Sequence, residues 1–166
     1  MRQAMLRLVI LVLGAGAGAI PAIAKDSADR DRTAHWVGTW LAPQQLTEPA
    51  NRPPSPGLAH NTLRQVVHVS IGSKRLRIRF SNEHSSEPLT LARVHCAASA
   101  GGHAIVEDGE RILTFGGART VTIAAGQAVA SDPLDFLLAP LSDLAVSIHF
   151  GSVPSDITGH PGSRTT

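Results

Sequence analysis

The chain holds 8 histidines, many serines and a row of arginines at alternate positions, and these are the side chains that could do chemistry. An α/β-hydrolase nucleophile needs a serine on a sharp turn with glycine two residues before and two after, because any side chain there would clash. No serine meets that condition. A Ser/His/acid relay of another order stays open in principle, but no two of its members stand in a recognisable block. Leu141-Ser142-Asp143-Leu144 and Ser131-Asp132 set a serine before an acid at expected strand starts, where a turn role is the simpler account. For metal, His95 with His103 and His60 with His68 are each eight apart. Zinc ligands stand closer than that, and no carboxylate or thiol cluster joins them, so neither metal nor cofactor is expected.

Arg75, Arg77 and Arg79 alternate with Leu76, Ile78 and Phe80, so a strand would place all three guanidinium groups on one face. Such a row can hold a carboxylate or phosphate, or meet acidic side chains of a neighbouring domain. The plainer alternative is a solvated face whose aliphatic stems cover apolar neighbours. Trp36 and Trp40 share strand parity, as a sugar-binding platform would require. With no tyrosine, 4 phenylalanines and 2 tryptophans in the whole chain, core packing is the expected role for both. The single cysteine, Cys96, cannot form an intrachain bridge and is expected as a small buried apolar side chain.

The elements that must position these groups read as short strands. Val67, Val69 and Ile71 alternate with His68 and Ser70; Gly72-Ser73 then leads into the arginine run, which predicts a β-hairpin. Further strands are expected over 89–97, 111–115, 120–123, 134–138 and 144–150, with turns at Gly101-Gly102, Asp108-Gly109, Gly116-Gly117, Gly126 and Asp132-Pro133. No stretch after the first 24 residues carries apolar residues at helical spacing over three turns behind a capping residue, so helix is scarce. The fold class is therefore all-β: an antiparallel two-sheet sandwich, jelly-roll or immunoglobulin-like.

Around this domain, residues 1–24 read as a signal peptide. Arg2 and Arg7 precede the apolar run from Leu8, and Ala22-Ile23-Ala24 marks a cut before Lys25. A transmembrane anchor is the rival, but the run is short, carries glycines and a proline, and lacks a basic far flank. Residues 25–34 form a charged lead-in, 35–150 the sandwich domain with a proline-rich loop between Pro43 and His60, and 151–166 a linker-like tail. Without Arg2 and Arg7 the basic and acidic residues balance at 13 each. That balance gives no electrostatic reason to expect nucleic acid or an anionic membrane as partner, and export to the periplasm or the medium follows from the leader.

Several stretches resemble the N-terminal region of secreted SGNH/GDSL-type esterases: His35-Trp36-Val37-Gly38-Thr39-Trp40, Asn61-Thr62-Leu63-Arg64-Gln65-Val66-Val67-His68, Arg75-Leu76-Arg77-Ile78-Arg79-Phe80-Ser81-Asn82, and Glu87-Pro88-Leu89-Thr90. Leu113-Thr114-Phe115-Gly116-Gly117, Ser131-Asp132-Pro133-Leu134, Leu141 to Ser147 and His160-Pro161-Gly162 agree, while Leu41-Ala42-Pro43-Gln44 lacks a serine such proteins often show. The resemblance implies a β-rich domain that precedes an α/β ester hydrolase domain. The Gly-Asp-Ser block of that second domain is absent, and Asp156 and His160 are four apart where its Asp-x-x-His pair needs three, so no catalytic residue carries over.

The expectation is an accessory domain, inactive alone, that packs on an SGNH/GDSL catalytic domain and walls its cleft for an acyl-ester or polysaccharide substrate. Arg75, Arg77, Arg79, Asn82 and His160 are the candidate interface or cleft residues. The alternatives are a free-standing carbohydrate- or protein-binding sandwich and, last, an enzyme with a dispersed site.

Overall fold

The computed structural model describes residues 35–160; the expected signal peptide, the lead-in and residues 161–166 of the expected tail lie outside them. In chain order the strands are β1 (Gln45–Leu46), β2 (Thr62–Val69), β3 (Ser73–Leu76), β4 (Arg79–Ser81), β5 (Leu89–Gly101), β6 (Ala104–Ile105), β7 (Arg111–Ile112), β8 (Val121–Ile123), β9 (Ala128–Ala130), β10 (Leu134–Leu138), β11 (Ser142–Phe150) and β12 (Thr158–Gly159). Two 3-10 turns, Pro49–Asn51 and Glu107–Gly109, are the helical elements among the described residues. None of these is long and apolar enough to cross a membrane.

The main sheet is antiparallel in the order β2-β11-β5, with β6, β7 and β8 paired along the far edge of β5. Its central strand, β11, shows why the sequence folds this way. Leu144, Val146, Ile148 and Phe150 are buried, while Asp143 and His149, one residue out of phase, are exposed. The second layer is a ribbon in which β3 pairs with β10 and β4 with β9.

Between those two pairings, two residues of one segment (77–78) face three of the other (131–133), and Pro133 has no N–H to give. Ser131, 1% exposed, closes the gap. Its hydroxyl accepts from the Ile78 N–H at 3.1 Å and donates to the Asp132 carbonyl at 3.0 Å. Leu76, Phe136 and Leu138 of this ribbon join Val69, Leu91, Val94, Leu144 and Ile148 of the main sheet in one core. Phe80 meets Phe115 edge-on at 5.8 Å. Two β layers over a shared core make the all-β sandwich.

The expected hairpin is corrected. β2 pairs with β11 and β3 with β10, so at Gly72 the chain leaves one layer for the other instead of turning back on itself. A Cβ on Gly72 would lie 2.5 Å from the Leu138 carbonyl oxygen and 2.7 Å from the Pro140 nitrogen, because the return crossing, 139–141, runs against it. Ile71 is on this crossing, and it is exposed rather than continuing the buried row of Val69.

The strand expected over 111–115 is only β7 long; Leu113 still donates its N–H to Val94, and Phe115 bridges Ala118. Residues 151–160 are not a free linker. Pro154 is buried, Val153 packs on the core, and β12 pairs with β1.

Candidate functional site

Strand register assembles a polar patch on the outer face of the main sheet. Opposite Ser147 of β11 stand Arg64 of β2 on one side and His95 of β5 on the other; opposite His149 stand Thr62 and Arg93. Arg64 donates from Nε to Ser147 Oγ at 2.8 Å and from Nη1 to the His103 carbonyl at 2.7 Å. Thr62 Oγ1 and His149 Nδ1 share a hydrogen bond of 3.0 Å. His95 Nδ1 lies 3.2 Å from Glu110 Oε1. Together these side chains line a concavity of about 500 Å³ open to solvent. Sequence reasoning missed it. The signal was present only as polar residues at the outward positions of strands far apart in the chain, and nothing before the pairing of β2, β11 and β5 says that they meet.

The arginine row takes a different part. Leu76 is buried and Ile78 and Phe80 pack on the core, so Arg75, Arg77 and Arg79 do share the outer face of the ribbon. Arg75 Nε lies 3.3 Å from Asp135 Oδ1 and Arg79 Nη2 lies 3.1 Å from Glu83 Oε1. The Ser81 hydroxyl first, then Arg79, hold the Glu83 carboxyl below its ordinary value. Arg77 adds its charge to Asp132. Exposed pairs of this kind contribute little stability each, and they leave the row charge-compensated by its own chain.

Asn82, 1% exposed, is a brace. Its side-chain amide donates to the carbonyls of Glu87, Ile123 and Ala124 at 2.8, 3.2 and 3.2 Å, which fixes the loop after β4. It presents no surface to a partner. His160, half-buried, lies edge-on to Trp40 at 5.5 Å and 3.4 Å from the Gln65 amide nitrogen.

A group of exposed apolar side chains stands at the end of the sandwich where the chain crosses between layers. Thr39 is tied to the crossing by bonds to Ser70 and Ile71, so Trp40 and Leu41 follow beside it, and Leu141 sits on the neighbouring crossing. Leu41 is 90% exposed, Leu141 72%, Ile71 48% and Trp40 42%. The expected burial of the tryptophans is corrected: both Trp36 and Trp40 face solvent in part, because residues 35–40 form no strand and so present no inward face. Leu141 moreover adopts φ 51°, the left-handed region that a branched apolar side chain rarely enters.

Among the described residues no serine hydroxyl is hydrogen-bonded to a histidine ring, and no three of His, Cys, Asp and Glu gather as a metal group would. His68 Nδ1 instead meets Asp143 Oδ1 at 2.7 Å on the exposed face. Compared with protein-family models and with curated proteins, the chain matches none.

Proposed function

We propose that this chain is the accessory β-domain of an exported SGNH/GDSL-type ester hydrolase, non-catalytic by itself, which docks on the hydrolase domain through its apolar end. The resemblance of its strand sequences supports the class of partner. The observation that carries the docking surface is Leu141: an apolar side chain held in a left-handed conformation while largely exposed, at the end of the sandwich where the exposed Ile71 also lies. Such strain is retained where the surrounding structure or a partner makes use of it. Contiguous exposed apolar side chains mark interaction surfaces. The signal-peptide pattern expected over residues 1–24 is what supports export.

The test is calorimetric titration of this chain with an SGNH/GDSL-type catalytic domain, together with an ester-hydrolysis assay. Saturable association, lost in Trp40→Ser/Leu41→Ser, and no turnover of short acyl esters by the chain alone are expected. Turnover abolished by replacing one serine of this chain would promote an enzyme with a dispersed site instead. A second reading, a free-standing binding module, is favoured by the polar concavity on the opposite feature of the fold, the outer face of the main sheet.

A further inference from the structure

We infer that the concavity on the outer face of the main sheet is a binding site for an acidic saccharide, one that presents a carboxylate to Arg64 and Arg93 and ring hydroxyls to the groups between them. Two arginines flank β11 from opposite sides, Arg64 on β2 opposite Ser147 and Arg93 on β5 opposite His149. Arg64 spends Nε on Ser147 and Nη1 on the His103 carbonyl, so its plane is fixed while the Nη2 amino group stays available. Arg93 makes no hydrogen bond or ion pair with any described residue. A guanidinium held in place with one amino group free, and a second, unengaged guanidinium that can offer paired hydrogen bonds, suit a carboxylate.

The remaining walls decide what else the ligand carries. Glu110 accepts hydrogen bonds and repels a compact dianion, which disfavours a simple phosphate site. With His95 on its Nδ1 side, it leaves the opposite ring nitrogen, Nε2, facing away from the pair. The hydroxyls of Thr62 and Ser147 and the outer nitrogen of His149 supply donors and acceptors at the spacing of neighbouring strands. The lining residues include no Phe, Tyr or Trp, so recognition rests mainly on hydrogen bonds and charge, with the imidazoles of His95 and His149 as the only rings at hand. A volume of about 500 Å³ lies within the range of small-ligand sites, roughly 300 to 1,000 Å³.

This site does not depend on a docked catalytic domain, and its failure would leave the accessory-domain reading untouched. The experiment is a titration of the full chain, followed by backbone amide shifts, with a glucuronate disaccharide, with cellobiose and with sodium phosphate. Saturable binding of the uronate with shifts at Thr62, Arg64, Arg93 and His149 is expected. Cellobiose and phosphate should bind at least about tenfold more weakly, since neither satisfies both halves of the site. Arg93→Ala, which removes no hydrogen bond or ion pair of the fold, should weaken uronate binding about tenfold or more and leave the melting temperature within a few degrees of wild type. Arg64→Gln tests the second cation, with a thermal melt to check that the face is intact. No saturation by uronate up to ~10 mM overturns the proposal, as does phosphate binding as tightly as the uronate, or an Arg93→Ala protein that binds uronate unchanged.

Discussion

Cys96 lies at the centre of β5, 1% exposed among Leu91, Val94 and Ile148, and burial pushes its thiol up to about 12; nearby Arg111 and Glu110 modify that value less. The thiolate is the reactive species, so at neutral pH this cysteine is inert in the folded chain. Iodoacetamide at pH 8 should leave the native protein unmodified over a time in which the urea-unfolded chain reacts completely, as followed by mass spectrometry. Asp132 is the opposite case, a carboxylate built into a turn. It accepts from the Thr114 hydroxyl at 2.7 Å and from the N–H groups of Gly116 and Gly117 at 2.9 and 2.8 Å, with both glycines at positive φ. The Thr114 hydroxyl first, then the Gly117 amide, hold its carboxyl below the ordinary value. Its folded-state affinity for a proton is thus below that of the unfolded chain. The stability it contributes is fully present above the ordinary aspartate value, about 3.9, and is lost as pH falls through the lower folded value. Asp132→Ala should cost about 1–2 kcal/mol at pH 7 by urea denaturation, and less at pH 3, where the aspartate of the unfolded chain already takes up a proton and offsets part of that stability. Cys96 was readable beforehand, as a lone cysteine in a strand of buried apolar residues. Asp132 was expected in an Asp-Pro turn, but residues 131–133 bulge between β9 and β10 instead, and the turn that Asp132 braces, at Gly116-Gly117, comes from a segment that only the fold brings alongside.

The strands themselves were legible wherever one face is buried, since period-two alternation then records the core directly. β10 and β11 fall where alternation puts them, with Phe136, Leu138, Leu144 and Val146 inward. What alternation cannot say is which strand pairs with which. Gly72-Ser73 has the composition of a two-residue hairpin turn, and the chain uses it to change layers because the return crossing at 139–141 claims the space beside it. β9, with Ala128 and Ala130 flanking Val129, and the two-residue β1 and β12 were too short or too small in side chain to give a period. The crossing makes a sharp prediction. Gly72→Ala places a methyl group 2.5 to 2.8 Å from the Leu138 carbonyl oxygen and Pro140, where backbone must move, and should destabilise by about 1–3 kcal/mol. Gly38→Ala meets nothing within 4 Å and should stay within about 0.5 kcal/mol of wild type. Urea midpoints of the two variants, measured side by side, separate a packing effect from a general sensitivity to replacing glycine.

At the scale of the whole molecule the two outward features differ in what they ask of the isolated chain. The polar concavity is charged and open to solvent, so it asks for no cover. The apolar end is not, and Leu141 makes the contrast measurable. In the left-handed region glycine has no Cβ penalty, whereas an L side chain is strained by about 1–2 kcal/mol, and Leu141, 72% exposed, recovers little of that by burial. Leu141→Gly should therefore leave the isolated chain as stable as wild type or raise its melting temperature by a few degrees, despite the loss of a large side chain. Docked on a catalytic domain, the sign reverses. An interface of roughly 600 to 1,500 Å² between domains removes apolar surface from water at about 25 cal/mol per Å², and a leucine at its edge contributes about 1–2 kcal/mol of that. The wild-type chain should then gain melting temperature on adding an SGNH/GDSL-type domain, and Leu141→Gly should gain several degrees less. Paired melts of both proteins, with and without the domain, measure the two effects in one experiment. A Leu141→Gly chain that is already less stable alone would mean that the leucine supports the sandwich itself. Equal gains for both proteins would place the contact elsewhere on the molecule, away from the apolar end.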